Sequence, residues 1–377
     1  MQLLYKINNS LIEKSLVKPY QYVLIAVSGG QDSICILNLL SQLKIKWRWK
    51  LGIVHCDHQW SSTSKNQAEH VAKIASSMEI NYYQAVAIQY LRHEASAREW
   101  RYQIIQRIAL EHNYNVIVTA HNASDRIETL LYNIIRGSGL HGIQSMSWKR
   151  KITNQLAISI SGLTRRKNIS YIKTKKYYFC TFYFSLSLIR PLLNITGTEL
   201  YCFARECNLP IWIDLTNKNL KIRRNRIRHQ LLPYLRKFFN PKIDQALAKW
   251  VEIVNAENIY IEKLSQFLFF QVIAKQEIYL NQSPYIHGEI LRSLPIALQR
   301  RIFKHFLDFH TNQNLNFYHI EQLRLWSHRN LIKKQNIRHI TYHNKSYFKK
   351  VYIHKILLPG QFQLSMIGPF IFCFKHK

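Results

Sequence analysis

Between residues 22 and 136 the chain repeats one pattern: a short run rich in β-branched and aromatic residues, then a longer segment with helical spacing. The strand candidates are YVLIAV (22–27), LGIVH (51–55), YYQAVAI (82–88) and NVIVTA (115–120). Helical stretches fall near 33–43, 65–78 and 95–112. Strands and helices in regular rotation bury their apolar faces through right-handed crossovers, which predicts an α/β fold with a doubly wound, mostly parallel sheet. Ligands of such sheets sit at the carboxyl ends of the strands. Ser28, His55 and His121 each follow an expected strand, so three motifs should open onto one crevice.

With 377 residues the chain exceeds the usual size of one domain. The expected division is 1–215, the ligand-binding α/β part, and 216–377, a helical part ending in a small basic region. Residues 150–176 carry eight Lys/Arg and no acid, and are expected to form a basic loop leading into a hairpin strand. Helical spacing returns from Thr196 in TELYCFAREC and RNRIRHQLLPYLRKFF, and Pro241 opens what reads as a long helix to about Phe270. After Glu321 no acidic residue occurs to the end, and the fold of that stretch is not legible.

Charge narrows the partners. The 53 Lys+Arg against 21 Asp+Glu give +32 with neutral histidines. A small metabolite does not call for that field, whereas nucleic acid does, because each Lys or Arg near a phosphate releases condensed counterions. Codon bias toward Lys, Asn, Ile and Tyr is the bland alternative. The six cysteines, Cys35, Cys56, Cys180, Cys202, Cys207 and Cys373, contain no Cys-x-x-Cys, which argues against a zinc ribbon and for a reducing compartment. The first residues, MQLLYKINNSLIEKSL, read as an ordinary amphipathic helix and not a signal peptide. The most apolar run, 177–189, falls short of the ~17–25 residues a membrane helix needs, so a membrane role is not expected.

The first strand runs into the turn Ser28-Gly29-Gly30-Gln31-Asp32-Ser33 and then into a helix. A Walker loop is absent. Such a turn aims several backbone N–H groups, at the positive end of a helix dipole, into one small space that suits an anion. Gly29 and Gly30 permit positive φ and close backbone approach, Ser28 and Ser33 supply hydroxyls, and Asp32 is placed to hold a cation or a reacting group. A plain Gly-Gly turn with a Ser/Asp cap is the alternative.

In TAHNASDRIETLLYNIIRGSGLHG (119–142), a helix beginning near His121 would bring His121, Asp125 and Glu128 within about 60° of one another, at ~100° per residue. The opposite side, Leu130, Leu131, Ile134 and Ile135, is apolar and should meet the sheet in part. Two carboxylates a turn apart beside a phosphate site suit Mg²⁺ or an incoming ammonium. In HEASAREWRYQII, Glu94, Arg98, Arg101 and Tyr102 share a face; Arg98 could clamp a phosphate oxygen or pair with Glu94. His55 and His58 flank Asp57 without a cysteine cluster, and zinc is not expected there.

SGGQDS resembles the pyrophosphate-binding loop of the PP-loop, or N-type, ATP pyrophosphatases. With HCDHQWSSTSKNQAEHV, EASAREWRY, AHNASDRIET, RGSGLHGI, RPLL and DLTNKNLKIRRNRIRHQLLPYL in that order, residues 22–235 resemble the tRNA(Ile)-lysidine synthase family, in its cyanobacterial and plastid branch. The resemblance implies ATP and Mg²⁺ as cofactors, with free L-lysine and a tRNA(Ile) bearing a CAU anticodon as substrates. In that family the wobble cytidine is adenylated and lysine then displaces AMP, changing the codon read from AUG to AUA. It further implies that Ser28, Gly29, Gly30, Gln31, Asp32 and Ser33 bind the nucleotide. Arg98 and His121 would stabilise the adenylation transition state, and Asp125 and Glu128 would hold lysine or Mg²⁺. Arg190, Asp214, Asn217, Arg224, Asn225 and Arg228 would position tRNA or join the domains.

The pattern departs from the family at Ser62, Ser124, Arg126 and Asn219, where arginine, aspartate, glutamine and an acid are usual. The implied location is the plastid stroma, or the cytoplasm of a bacterium; the oligomeric state stays open, with a homodimer as one option. Two rivals are a PP-loop tRNA thiolase, which uses paired cysteines, and a basic RNA-binding protein that kept the fold without catalysis.

Overall fold

The computed structural model describes residues 2–60, 62–88, 94–143, 146–152, 186–213, 220, 222–274, 285–310, 316–328, 353–358, 362–367 and 370–375. Contacts gather the chain into two compact units, Met1–Glu252 and Ile253–Lys377. Among the described residues no helix is long and apolar enough to cross a membrane.

The first unit opens with α1 (Gln2–Glu13), then β1 (Tyr22–Ala26), α2 (Gln31–Trp47), β2 (Lys50–Asp57), α3 (Ser64–Ser77), β3 (Asn81–Val86), α4 (Glu94–Glu111), β4 (Val116–Val118) and α5 (Ala123–Ile135). There follow α6 (Leu140–Ile143), β5 (Lys149–Ile152), β6 (Leu186–Ile189) and α7 (Gly197–Glu206). The sheet order is β3-β2-β1-β4-β6-β5, parallel throughout except for the edge strand β5. The expected rotation of strands and helices therefore closes as a doubly wound sheet.

Strand β1 shows why. Alternate side chains leave opposite faces of a strand. Val23 and Ile25 join a core with Ile7 and Leu11 of α1, Leu37 of α2, Val71 of α3 and Leu200 of α7. Leu24 points the other way, into a core with Ile105 and Ala109 of α4. A strand covered on both faces has no polar side, so its sequence is continuously apolar. The chain order reverses between β1 and β4, and a crevice opens at that switch point, beyond the strands' carboxyl ends.

One local expectation changes. Arg150 and Lys151, read as the start of a basic loop, stand in β5, whose edge position leaves charged side chains in water. The rest of the 150–176 segment lies outside the described residues from 153 onward, as do Asp214 and Asn217. The basic stretch after residue 220 is helical in three joined pieces: α8 (Arg223–Arg226), a π-turn at Ile227–Leu231 and α9 (Leu232–Phe238). Pro233 lies in the first turn of α9 and has no N–H to give the preceding turn, which widens there.

Helix α10 (Ile243–Val272) begins two residues after Pro241, and the division between units falls within it. The second unit adds β7 (Ile273–Ala274), β8 (Tyr285–His287), α11 (Gly288–Ser293), α12 (Ile296–His310), α13 (Phe317–His328), β9 (Ile353–Leu358), β10 (Phe362–Ile367) and β11 (Phe370–Lys375). Its antiparallel sheet, β7-β8-β11-β10-β9, and the helices share a core that includes Phe303, Phe306, Leu323, Leu364 and Ile371.

Candidate active site

The turn after β1 is held open by its own polar groups. Ser33 Oγ accepts from Ser28 N at 3.2 Å and donates to Gly30 O at 2.8 Å, and Gly30 N reaches Ser28 Oγ at 3.3 Å. Gly29 sits at φ +88°, where a Cβ would lie 3.3 Å from Val71 and 3.4 Å from Trp212. Both the conformation and the space call for glycine. Neighbouring elements hold the turn from outside: Gln67 of α3 donates to Ser28 O at 2.5 Å, and Trp212 N to Gly29 O at 2.9 Å. Gly30 is the N-cap of α2 and makes no side-chain cap, so the first N–H groups of that helix have no side-chain acceptor there.

Across the switch point, the turn after β4 ends in Asn122, which caps α5. Its side chain accepts from Asp125 N at 2.9 Å, and Asp125 Oδ2 accepts from Asn122 N at 3.0 Å, a reciprocal capping box. The Asn122 amide also donates to Asp32 Oδ2 at 2.9 Å. One residue thus fastens the loop after β1 to the helix after β4. Asn122 carries no charge or nucleophile to single it out in the sequence; the Asn-x-x-Asp spacing of a capping box is the signal that marks it.

The helix starts at Ala123, two residues later than expected, so His121 precedes its cap and a helical wheel does not set its direction. Its Nδ1 is paired with Thr119 Oγ1 at 3.0 Å. Desolvation, added to by Arg190, Arg224 and Arg98 and opposed by Asp125, pushes the imidazole down to about 3. At neutral pH His121 is an uncharged hydrogen-bonding group.

Asp125 and Glu128 do face one way, and both are met by arginines from the far end of the unit. Arg224 donates Nε to Glu128 Oε2 and Nη2 to Asp125 Oδ1, both at 2.8 Å. Arg228 donates Nε to Glu128 Oε1 at 2.6 Å and Nη2 to Asp125 Oδ1 at 3.0 Å. All four carboxylate oxygens therefore hold a donor, Asp125 Oδ2 through the capping box. Glu128 is wholly buried, which its charge tolerates only because both guanidinium groups reach it. The residues expected to join domains or position tRNA are thus split. Arg224 and Arg228 stand in the carboxylate cluster, and Asn225, between them, is buried.

Among the described residues Asp32 has no arginine hydrogen-bonded to it. Burial and the neighbouring Asp125 charge lift its carboxyl to about 6, with Arg228, Gln31 and Asn122 pulling the other way. Among the described residues no group of three or more His, Cys, Asp or Glu could by itself hold a metal ion. Asp32 does fit a cation shared with phosphate oxygens, since Mg²⁺ commonly takes one or two carboxylates and completes its shell from substrate and water. Glu128 fits such an ion poorly, with its oxygens already engaged.

A basic cluster faces His121. Tyr102 hydrogen-bonds Arg98 and Arg190, and both hold its phenol below its ordinary range despite burial. The Arg98 guanidinium lies 5.7 Å over the Tyr102 ring, and Arg190 Nη1 donates to Ser147 O at 2.7 Å. Arg101 turns toward His58, whose imidazole desolvation and Arg101 push down to about 4. His55 is buried with Nδ1 on Val27 O at 2.8 Å, a bond that ties β2 to the end of β1.

The crevice combines an N–H-rich glycine turn at a helix start, a carboxylate bound to it through Asn122, two further carboxylates, and arginines. That combination on a switch-point sheet defines a nucleotide-cleaving PP-loop protein, and the family described as "PP-loop domain" matches residues 2–235. Relatives match over more of the chain. A chloroplastic tRNA(Ile)-lysidine synthase of Staurastrum punctulatum is 46% identical over 359 residues, covering 86% of this chain and 73% of that one. The counterpart of Zygnema circumcarinatum is 44% identical, covering 98% and 89%, and that of a Nostoc species 38%, covering 85% and 88%. The chain belongs to the tRNA(Ile)-lysidine synthase family.

Proposed function

We propose that the protein is an ATP-dependent ligase that joins L-lysine to C2 of the wobble cytidine in the CAU anticodon of a tRNA(Ile), in a plastid. The observation that supports this reading most is the Asn122 bridge. It brings the glycine turn, made for a pyrophosphate, and the carboxylate cluster, made for N–H donors, into one crevice. In the first step the cytidine C2 oxygen attacks the α-phosphorus of ATP, and the bond to the bridging oxygen breaks to release pyrophosphate. Backbone N–H groups of Gly29 to Asp32 and the hydroxyls of Ser28 and Ser33 hold the departing charge. Arg98 and Arg190 face the same crevice and balance charge at the α-phosphate, with neutral His121 donating a hydrogen bond there. Asp32 would hold Mg²⁺, which when bound neutralises the β- and γ-phosphate oxygens.

In the second step the ε-amine attacks C2 of the adenylated base. The C2–O bond breaks, AMP leaves with that oxygen, and the amine gives up a proton. Asp125 and Glu128 bind the incoming lysine as an ammonium in exchange for one guanidinium. Their oxygens are set for N–H donors at 2.6–3.2 Å, so one N–H cation replaces another like for like. Mg²⁺, which keeps several waters in a near-octahedral shell, does not match carboxylate oxygens already filled by N–H donors.

Sulfur transfer is less well supported. Cys35, two residues after Ser33, and Cys56 are pushed up to about 12 by burial and hold almost no thiolate at neutral pH. The deciding assay incubates the protein with ATP, labelled lysine and a tRNA(Ile) transcript, then weighs the anticodon nucleoside. A gain of one lysine less water supports the reading. No gain with lysine, or sulfur uptake from a donor, overturns it.

A further inference from the structure

Beyond the crevice, the last turns of α5 and the α8–α9 segment enclose a groove of about 630 Å³, within the ~300–1,000 Å³ range of small-ligand sites. Tyr132, Ile135, Leu231 and Tyr234 supply apolar and aromatic surface, and Arg136 and Arg226 stand among them. Among the described residues that line it, none is acidic. The Arg136 guanidinium lies 5.4 Å over the Tyr132 ring. Ile135 is 66% exposed and Tyr234 53%, so the apolar walls face water in this chain. Aromatic surface continues from Tyr234 to Phe238, ring centroids 4.9 Å apart.

Helix geometry ties the groove to the chemistry. Tyr132 is four residues after Glu128 and Arg136 eight, so they follow it on one face at about 6 and 12 Å along the axis. On the opposing wall, Arg224 and Arg228 turn to the carboxylates, and Arg223, Arg226 and Ile227 turn to the groove. The groove begins one helical turn from the site proposed to receive the amine, within reach of the next nucleotide of an unstacked strand.

We propose that this groove takes the base of a single-stranded nucleotide adjacent to the one that reacts, stacked on Tyr132 or Tyr234, with its flanking phosphates on Arg136 and Arg226. Aromatic rings with arginines beside them are how sequence-tolerant single-strand sites are built. An apolar peptide would find the ring surface but leave two or three guanidinium groups with no counter-charge, so RNA is the occupant the charge selects. The proposal rests on the lysine-transfer reading for the identity of the reacting nucleotide.

The test uses the full chain and an anticodon stem-loop RNA in which 2-aminopurine replaces, in turn, the nucleotide on either side of the wobble cytidine. One of the two probes should be quenched on binding, and Tyr234→Ala or Tyr132→Ala should abolish the quench and weaken RNA binding about 10-fold. Tyr234→Trp should restore both, whereas Tyr234→Leu should not. The KM for ATP and for lysine should stay within about two-fold of the parent. An unquenched probe at both positions in the parent protein overturns the proposal without recourse to any variant. So does unchanged affinity in the double alanine variant, or a fall in its oligomeric state with RNA affinity kept, which would make the groove an interface between copies. Failure of the parent protein to transfer lysine at all would instead strike the functional reading.

Discussion

Replacing Asp32 by Asn should make the empty protein more stable while removing its activity, and the gain should depend on pH in a direction the structure dictates. Asp32 is buried beside the charge of Asp125, and its carboxyl is lifted from 3.8 to about 6. Below pH 4 the group is protonated in folded and unfolded chains alike and contributes nothing. Between 4 and 6 the unfolded chain has lost the proton and the folded one keeps it, so parent stability falls as pH rises. Above 6 the carboxylate is ionised in both states, and the full cost of burying it remains. At 1.36 kcal/mol per pKa unit that cost is about 3 kcal/mol as an upper figure.

Asparagine carries no charge and can still accept from the Asn122 amide, though its own amide then faces that of Gln31 at the weaker 3.4 Å contact. The net gain at pH 8 should therefore be about 1–2 kcal/mol. Urea titrations of both proteins at pH 5 and pH 8, without nucleotide or Mg²⁺, measure it. The advantage of Asp32→Asn over the parent should be larger at pH 8 by roughly 1–2 kcal/mol, following the linkage relation. An advantage that is equal at the two pH values, or larger at pH 5, would refute the claim that Asp32 is held with a raised pKa.

Gly29→Ala must force a left-handed φ of +88° and push a methyl against Val71 and Trp212. It should cost about 1–3 kcal/mol in thermal or urea unfolding and abolish tRNA-dependent pyrophosphate release. Arg228→Ala leaves Glu128, fully buried, with half its counter-charge. A loss of roughly 2–4 kcal/mol is expected, with Arg228→Lys recovering little because a lysine cannot bridge both carboxylates. Arg126 is buried with Nη1 on Glu252, and among the described residues its Nε and Nη2 have no hydrogen-bond partner. Glu252→Ala should thus destabilise by about 2 kcal/mol, and Arg126→Gln should restore most of it in the double variant; additive losses would contradict the pairing.

The parallel sheet was legible because the change of period from two to 3.6 marks each strand and helix locally, and β1 lacks a polar face for a plain reason of burial. Capping chemistry was less visible. Asn122 caps α5, which starts at Ala123, two residues past His121, so helical spacing does not place that ring. The pairing of Arg224 with Glu128 spans 96 residues and that of Arg228 with Asp125 spans 103. Nothing local in either segment announces such a contact. Only the matched spacing, i,i+3 for the acids and i,i+4 for the arginines, hints that two helices meet there. Spacing places Ile134 and Ile135 with Leu130 as apolar cover for the sheet, yet Leu130 is buried and the two isoleucines are exposed, Ile135 lining the groove. The antiparallel sheet of the second unit was illegible. Its strands are six residues or fewer, and its register depends on partners far apart in the chain, such as Ile286 with Ile371.

The arginine pair also resolves a conflict of charge within the crevice. Three carboxylates beside a triphosphate would repel it, at about 3 kcal/mol for each unit pair 6 Å apart at an effective dielectric of 20. Arg224 and Arg228 cancel the charge of Asp125 and Glu128, and Asp32, lifted to about 6, is the carboxylate left for a cation. With a cation bound there as proposed, the nucleotide would meet the glycine turn and the arginines without net repulsion. On the proposed reading, the same neutralised carboxylates would become an amine site once a guanidinium is drawn away, and RNA phosphates at the adjoining Arg223–Arg226 segment would draw it. Lysine should therefore bind more tightly to the protein–RNA complex than to the protein alone. Equal lysine affinity in titration calorimetry with and without a stem-loop bearing a non-reactive wobble nucleotide would show that the two sites are uncoupled.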